Sequence, residues 1–129
     1  MGASGTAKSR LVLLVDDEQS MLKVLERRLE SWGYRVLLAD HGLAALRLAQ
    51  ERRPDLILLD VMMPEMDGLE VCRRLRAMKE TRRIPVILVT VKATQLSAEE
   101  IRGSGAFKVI GKPYEPEELE EAVRAALKC

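Results

Sequence analysis

Short apolar runs recur along this chain and alternate with longer stretches in which apolar residues return every three or four positions. Arg10 to Val15 is rich in leucine and valine and stops at two aspartates, which predicts a strand. Leu22, Leu25, Leu29 and Trp32 follow at helical spacing and end beside Gly33, which predicts a helix. Arg35 to Ala39 reads as a second strand, and Gly42 to Arg53 as a second helix that must stop before Pro54. Asp55 to Leu59 is the clearest strand. It is apolar on successive residues, as expected of a central parallel strand covered on both faces.

Asp67 opens a third helix with Glu70 three residues on, a variant of the capping box, and Val71, Cys72, Leu75 and Met78 supply its buried side. Pro85 precedes a fourth strand, Val86 to Thr90. Leu96 to Arg102 is weakly amphipathic and bounded by Gly103 and Gly105, which predicts a short or mobile helix. Phe107 to Ile110 makes a fifth strand. The last helix carries Pro116 in its first turn and Leu119, Ala122, Val123, Ala126 and Leu127 on one face, with an acidic start and a basic end that suit the helix dipole. Five alternating strand and helix units predict an α/β, doubly wound, flavodoxin-like domain over 10–128, with a parallel sheet in the order 2-1-3-4-5.

Composition narrows the functions within reach. The chain's 129 residues suit one domain with a real core. A formal net charge of +1 gives no broad attraction to nucleic acid or membrane, so direct binding to either is not expected and partners must be recognised locally. The longest apolar runs are too short to cross a bilayer. Residues 1–9 are small and polar, without the apolar stretch of a secretion signal, and read as a flexible leader outside the fold. Cys72 and Cys129 have no metal-ligand spacing and no disulfide framework, which suits a reducing cytoplasm.

In such folds ligands bind beyond the carboxyl ends of the strands. There the first strand ends in Asp16 and Asp17, the third in Asp60 and the fourth in Thr90, and Lys112 follows the fifth. Strand order 2-1-3-4-5 makes these four ends contiguous, so the side chains converge. Singly, Asp16 and Asp17 could cap a helix, Asp60 could start a turn, and Lys112 could be a solvated charge. Together, carboxylates repel by roughly 4 kcal/mol per pair at about 4 Å in an effective dielectric near 20. Lys112 offsets part of that, and a hard divalent cation suits an all-oxygen acidic site. With a cation on one side and an ammonium on the other, a carboxylate can serve as nucleophile toward a phosphoryl group, with Thr90 donating a hydrogen bond to it.

Leu13-Leu14-Val15-Asp16-Asp17-Glu18, Asp60 to Gly68, Val89-Thr90 and Gly111-Lys112-Pro113-Tyr114 resemble, in order and spacing, the signature segments of response-regulator receivers, the switches of two-component phosphorelay signalling. The resemblance implies that Asp60 takes a phosphoryl group from a phosphohistidine. It implies that Asp17, Asp60 and the backbone carbonyl of Met62 hold Mg2+ (or Mn2+), with Asp16 assisting, and that Thr90 and Lys112 contact the phosphoryl oxygens. The partners it implies are a histidine kinase or histidine phosphotransfer protein as donor and a downstream protein or separate output domain. A homodimer formed on phosphorylation, through the fourth helix, fifth strand and fifth helix, is compatible with it. Such a chain is a signalling switch rather than an independent enzyme.

Two positions depart from the family pattern. Val109 stands three residues before Lys112, where receivers usually carry an aromatic ring, and Val91 follows Thr90, where alanine is common and a larger side chain narrows access to Asp60. An alternative reading follows, a receiver-fold interaction module whose output is not driven by phosphorylation. Two rival chemistries fit worse. A haloacid-dehalogenase-like phosphotransferase needs Asp-x-Asp, but Met62 stands two residues after Asp60, and a nucleotide site wants a glycine-rich turn where Asp16-Asp17-Glu18 stands. His41 is the only histidine and reads as a solvated loop or cap residue, so the phosphodonor must be another molecule. Met62 and Met63 read as packing or loop-shaping residues rather than soft-metal ligands.

Overall fold

A computed structural model of the chain describes residues 9–128. The leader expected over 1–9 lies, Ser9 apart, outside the described residues, as does Cys129. Five strands, β1 (Leu11–Val15), β2 (Arg35–Ala39), β3 (Leu56–Asp60), β4 (Val86–Thr90) and β5 (Lys108–Gly111), alternate with helices α1 (Gln19–Ser31), α2 (Gly42–Arg52), α3 (Gly68–Ala77), α4 (Ala98–Ser104) and α5 (Pro116–Lys128). The strands form one parallel sheet in the order β2-β1-β3-β4-β5, as the alternation predicts.

Alternate residues of each central strand face opposite layers. Leu13, Val15, Ile57, Leu59, Val86 and Leu88 pack with Ala45, Leu46 and Ala49 of α2 and Leu69, Val71, Cys72 and Leu75 of α3. Val12, Leu14, Leu56, Leu58, Ile87, Val89 and Ile110 pack with Leu22, Leu25 and Leu29 of α1 and Leu119, Ala122, Val123 and Ala126 of α5. Every residue of β1, β3 and β4 is buried, which explains why these strands read as unbroken apolar runs.

The fourth unit differs most from its sequence pattern. Leu96 to Arg102 does not form one helix. A 3-10 turn at Ala93–Gln95 comes first, Leu96 is extended, and α4 starts only after Ser97. The reason is a full capping box: the Ser97 hydroxyl accepts the Glu100 N–H at 2.9 Å, and the Glu100 carboxylate accepts the Ser97 N–H at 2.9 Å. At Asp67 the expected box is half formed. Asp67 accepts the Glu70 N–H at 2.9 Å, but the Glu70 side chain turns to Arg73 and Arg74 instead. β5 begins one residue later than expected, leaving Phe107 exposed at its entrance.

Candidate functional site

Parallel strands share a direction, so the polar residues at their exits collect at one end of the sheet. Val15 pairs with Leu59, Asp60 with Val89, and Thr90 with Gly111. The Lys112 N–H donates to the Thr90 carbonyl at 2.9 Å, which carries the pairing one residue past β5. Asp16, Asp17, Asp60, Thr90 and Lys112 thereby occupy neighbouring strand exits, as the topology requires.

Asp16, Asp60 and Thr90 are buried, whereas Asp17 is exposed and Lys112 half-buried. One carboxylate oxygen from each of Asp16, Asp17 and Asp60 lies within 4.8 Å of the others. The Lys112 ammonium stands 3.2 Å from Asp16 Oδ2 and 3.7 Å from Asp60 Oδ2. The remaining oxygens fix the loops: Asp16 Oδ1 accepts the Glu18 N–H at 2.9 Å, and Asp60 Oδ1 accepts the Met62 N–H at 3.1 Å. Each buried aspartate thus ties down its own loop with one oxygen and turns the other toward Lys112. The Asp17 side chain makes no hydrogen bond or ion pair among the described residues.

Burial pushes the Asp60 carboxyl up from 3.8 to about 6; the Lys112 ammonium and the Met62 N–H pull it down, while the Asp16 and Asp17 charges push it further up. Burial alone would lower Lys112, but Asp60 and Asp16 outweigh it and hold the ammonium above its ordinary range. One lysine therefore does not neutralise the site. The donor set is hard oxygen throughout, with a free carboxylate at Asp17, and suits Mg2+ or Mn2+ rather than a soft metal. Thr90 Oγ1 accepts the Lys92 N–H at 3.1 Å, which leaves the hydroxyl proton available to a ligand.

Gly68 admits no side chain. A Cβ there would stand 2.4 Å from the Asp60 carbonyl oxygen and 2.8 Å from Val61 Cα, so the first turn of α3 rests on the backbone of Asp60 and Val61. The Gly68 N–H also donates to the Val61 carbonyl at 2.9 Å. The Lys112–Pro113 peptide is cis. Among the methionines, Met63 is buried in the core and Met62 exposed on the loop. His41 is exposed at the N-cap position of α2, where its ring meets Asp40 at 2.8 Å and makes no cap bond.

The two departures sit differently. Val109 is partly buried and packs on the core layer of α2 and α3. Val91 is 66 % exposed and lines a groove of about 340 Å³ with Met21, Val24, Arg28, Lys112, Pro113 and Tyr114. Its extra methyls thus border the approach beside Lys112.

A family model described as the response regulator receiver domain matches residues 12–124. The chain is 38% identical over 120 residues to the alkaline phosphatase synthesis transcriptional regulatory protein PhoP of Bacillus subtilis, covering 93% of this chain but 49% of that protein. It is 40% identical over 116 residues to the polar-differentiation response regulator DivK of Brucella anthropi, covering 90% of this chain and 94% of that one. Most of the first relatives resemble PhoP in length, so the chain spans about half of them. Its fold is similar to the receiver domain of sensor histidine kinase PA1611 from Pseudomonas aeruginosa, solved with magnesium coordinated in the active-site cleft, at a TM-score of 0.86, 34% identity and coverage of 94% and 99%. The chemotaxis response regulator CheY4 of Vibrio cholerae is similar at a TM-score of 0.86 and 32% identity, covering 93% and 100%. No described helix is long and apolar enough to cross a membrane. By the residues it matches and the fold it adopts, the chain belongs to the response-regulator receiver family of two-component signalling.

Proposed function

We propose that this chain is a phosphorylation switch in which Asp60 accepts a phosphoryl group from a phosphohistidine on a partner kinase or phosphotransfer protein. The observation that carries the reading is the position of Asp60: a buried carboxylate at a strand exit, flanked by two more carboxylates, with Lys112 3.7 Å away. Asp16, Asp17, Asp60 and the Met62 carbonyl would hold Mg2+ there. When bound, the ion neutralises carboxylate charge and stabilises the charge on the phosphoryl oxygens.

The chain's own residues do the rest. An Asp60 carboxylate oxygen attacks phosphorus, the phosphorus–nitrogen bond of the donor breaks, and the released imidazole takes a proton. Lys112 already faces Asp60 and holds the carboxylate in its charged, nucleophilic form. Thr90, whose oxygen is fixed by the Lys92 N–H, donates its proton to a phosphoryl oxygen. The groove along Met21, Val24 and Val91 opens beside Lys112 and offers an apolar seat for the donor's surface. Such a protein works in the cytoplasm, on a downstream partner or output domain, with self-association through α4, β5 and α5 as one route of readout.

The test is intact mass after incubation with Mg2+ and acetyl phosphate. A single added phosphoryl group that Asp60→Asn abolishes is the expected result. An unmodified mass with both acetyl phosphate and a phosphohistidine donor, under conditions that label a control receiver, overturns the reading.

Val109 favours a second reading, a receiver fold whose output does not follow phosphorylation. A valine has no ring to exchange between buried and exposed positions, so the usual report of the occupied site is missing. Unchanged partner binding on quantitative labelling of Asp60 is the result that selects this reading.

A further inference from the structure

We propose that Arg76 sets how readily α4 lifts from α3: its alkyl stem supports the docked helix, while its buried guanidinium opposes docking. The neighbouring arginines of α3 behave conventionally. Arg73 and Arg74 are exposed, and both pair with Glu70. Arg76 turns the other way, into the junction of α3, the 78–84 connection and the end of α4.

The contact beneath α4 is narrow. α4 packs chiefly on α3, and at its C-terminal end Ser104 is fully buried, its hydroxyl beside the equally buried Cys72 thiol. Cys72 and Arg76 are about one turn apart and share a face of α3. Gly105 closes α4, and a Cβ there would stand 2.7 Å from Arg76 Cγ and 2.8 Å from Cδ, so glycine is required by space as well as by its φ of +77. The backbone at the end of α4 therefore lies directly on the Arg76 methylenes.

The head of the same side chain is poorly served. Nη2 donates to the Ile84 carbonyl and, at 3.5 Å, to that of Thr81. Nε is buried without a hydrogen-bond partner, the one side-chain atom in that state among the described residues. No carboxylate pairs with the guanidinium among those residues. Burial pushes it below its ordinary range, and the Cys72 thiol opposes that push. A buried donor without a partner and a buried charge without a counterion each cost free energy that hydration recovers. Nε follows Cδ, the carbon that Gly105 covers, so lifting α4 is what admits water to it.

The ordinary explanation is that Arg76 only ties the 78–84 connection to α3. It accounts for the two carbonyl contacts but not for the orphaned Nε. Nor do those carbonyls depend on Arg76: that of Thr81 already receives the Ile84 N–H at 3.0 Å, and Ile84 lines a groove of about 250 Å³ that water reaches.

The experiment needs no phosphorylation, so the device stands or falls apart from the role proposed for Asp60. In a Cys129→Ser background Cys72 is the single thiol, and its labelling by a water-soluble disulfide reagent reports opening of the α3–α4 contact. Amide exchange over 98–106 reports the same opening on the backbone. Arg76→Met keeps the stem and removes the head, and both rates should fall about tenfold, the size expected when one unpaired buried donor is removed. Arg76→Ala removes Cγ and Cδ as well, and both rates should rise by roughly threefold or more from lost packing. Opposite signs in the two variants are the expected result. The same sign in both, no change in Arg76→Met, or disagreement between the two probes overturns the proposal. So does Cys72 labelling that climbs steeply from the lowest urea concentrations, the mark of global unfolding rather than a local lift. Acetyl phosphate labelling of the same variants reports separately on the switch.

Discussion

Asp60 carries a thermodynamic signature beside the chemical role proposed for it. Its carboxyl rises from 3.8 to about 6 because burial disfavours the charge. The folded state therefore holds this proton more tightly than the unfolded chain does, so the contribution is fully present below pH 3.8 and is lost as the pH rises through about 6. A rise from 3.8 to about 6 corresponds to nearly 3 kcal/mol, and solvent reaching the site reduces this to roughly 2 kcal/mol. Asp60→Asn should then be more stable than the parent by that amount at neutral pH and no more stable near pH 4. Denaturant titrations at the two pH values check it, and a difference independent of pH refutes it. Mg2+ should close the gap by stabilising the parent at neutral pH.

Gly68 gives a second prediction for a single residue. A methyl at this position must displace the Asp60 carbonyl and Val61 Cα, both backbone. Gly68→Ala should cost about 3 kcal/mol and weaken Mg2+ affinity, because the shift falls on the loop proposed to hold the ion. Loss of stability with unchanged Mg2+ affinity would place the strain elsewhere. The need for glycine was not legible in the sequence, since nothing there says that α3 starts against the backbone of Asp60. The meeting of Asp60 with Asp16, Asp17, Thr90 and Lys112 was legible, because a run of apolar residues ending in aspartate marks both a buried strand and its exit.

Among the elements, α4 departs furthest from the rest. It has seven residues, follows a 3-10 turn, and closes at Gly105 with φ +77. A Cβ on Gly105 would meet the Arg76 side chain at 2.7 Å, so the end of α4 leans on α3. Its start depends on the Ser97 and Glu100 bonds. Ser97→Ala should cost about 1 kcal/mol and speed amide exchange in 98–104 while β1 and β3 stay protected. If Val109 has ended the aromatic route, this helix is the remaining element for Thr90 to bias. Amide exchange with and without phosphoryl on Asp60 should then differ across 91–110, and no change there removes α4 from the readout. The capping box was present in the sequence as Ser97-x-x-Glu100 and was obscured by the apolar Leu96 just before it. Asp67 misled in the opposite way, since Arg73 and Arg74 draw Glu70 along the helix.

At the scale of the molecule, alternation of strand and helix fixed the topology because parallel strands need crossovers and crossovers need length. Charge was the part that composition hid. Summing to +1 treats residues as if they shared one place, yet a five-residue strand separates exit from entrance by roughly 16 Å, about twice the Debye length in physiological salt. Carboxylates at the exits and arginines at the entrances, where Arg10, Arg35, Arg53 and Arg83 stand, are thus electrically independent neighbours. The protein should consequently be retained by both an anion exchanger and a cation exchanger at about 0.1 M salt, where the Debye length of about 10 Å is still shorter than that separation, at a pH where its net charge is close to zero. Orientation during diffusion follows as well: a cationic surface meets the Asp60 end first, and an anionic one meets the far end.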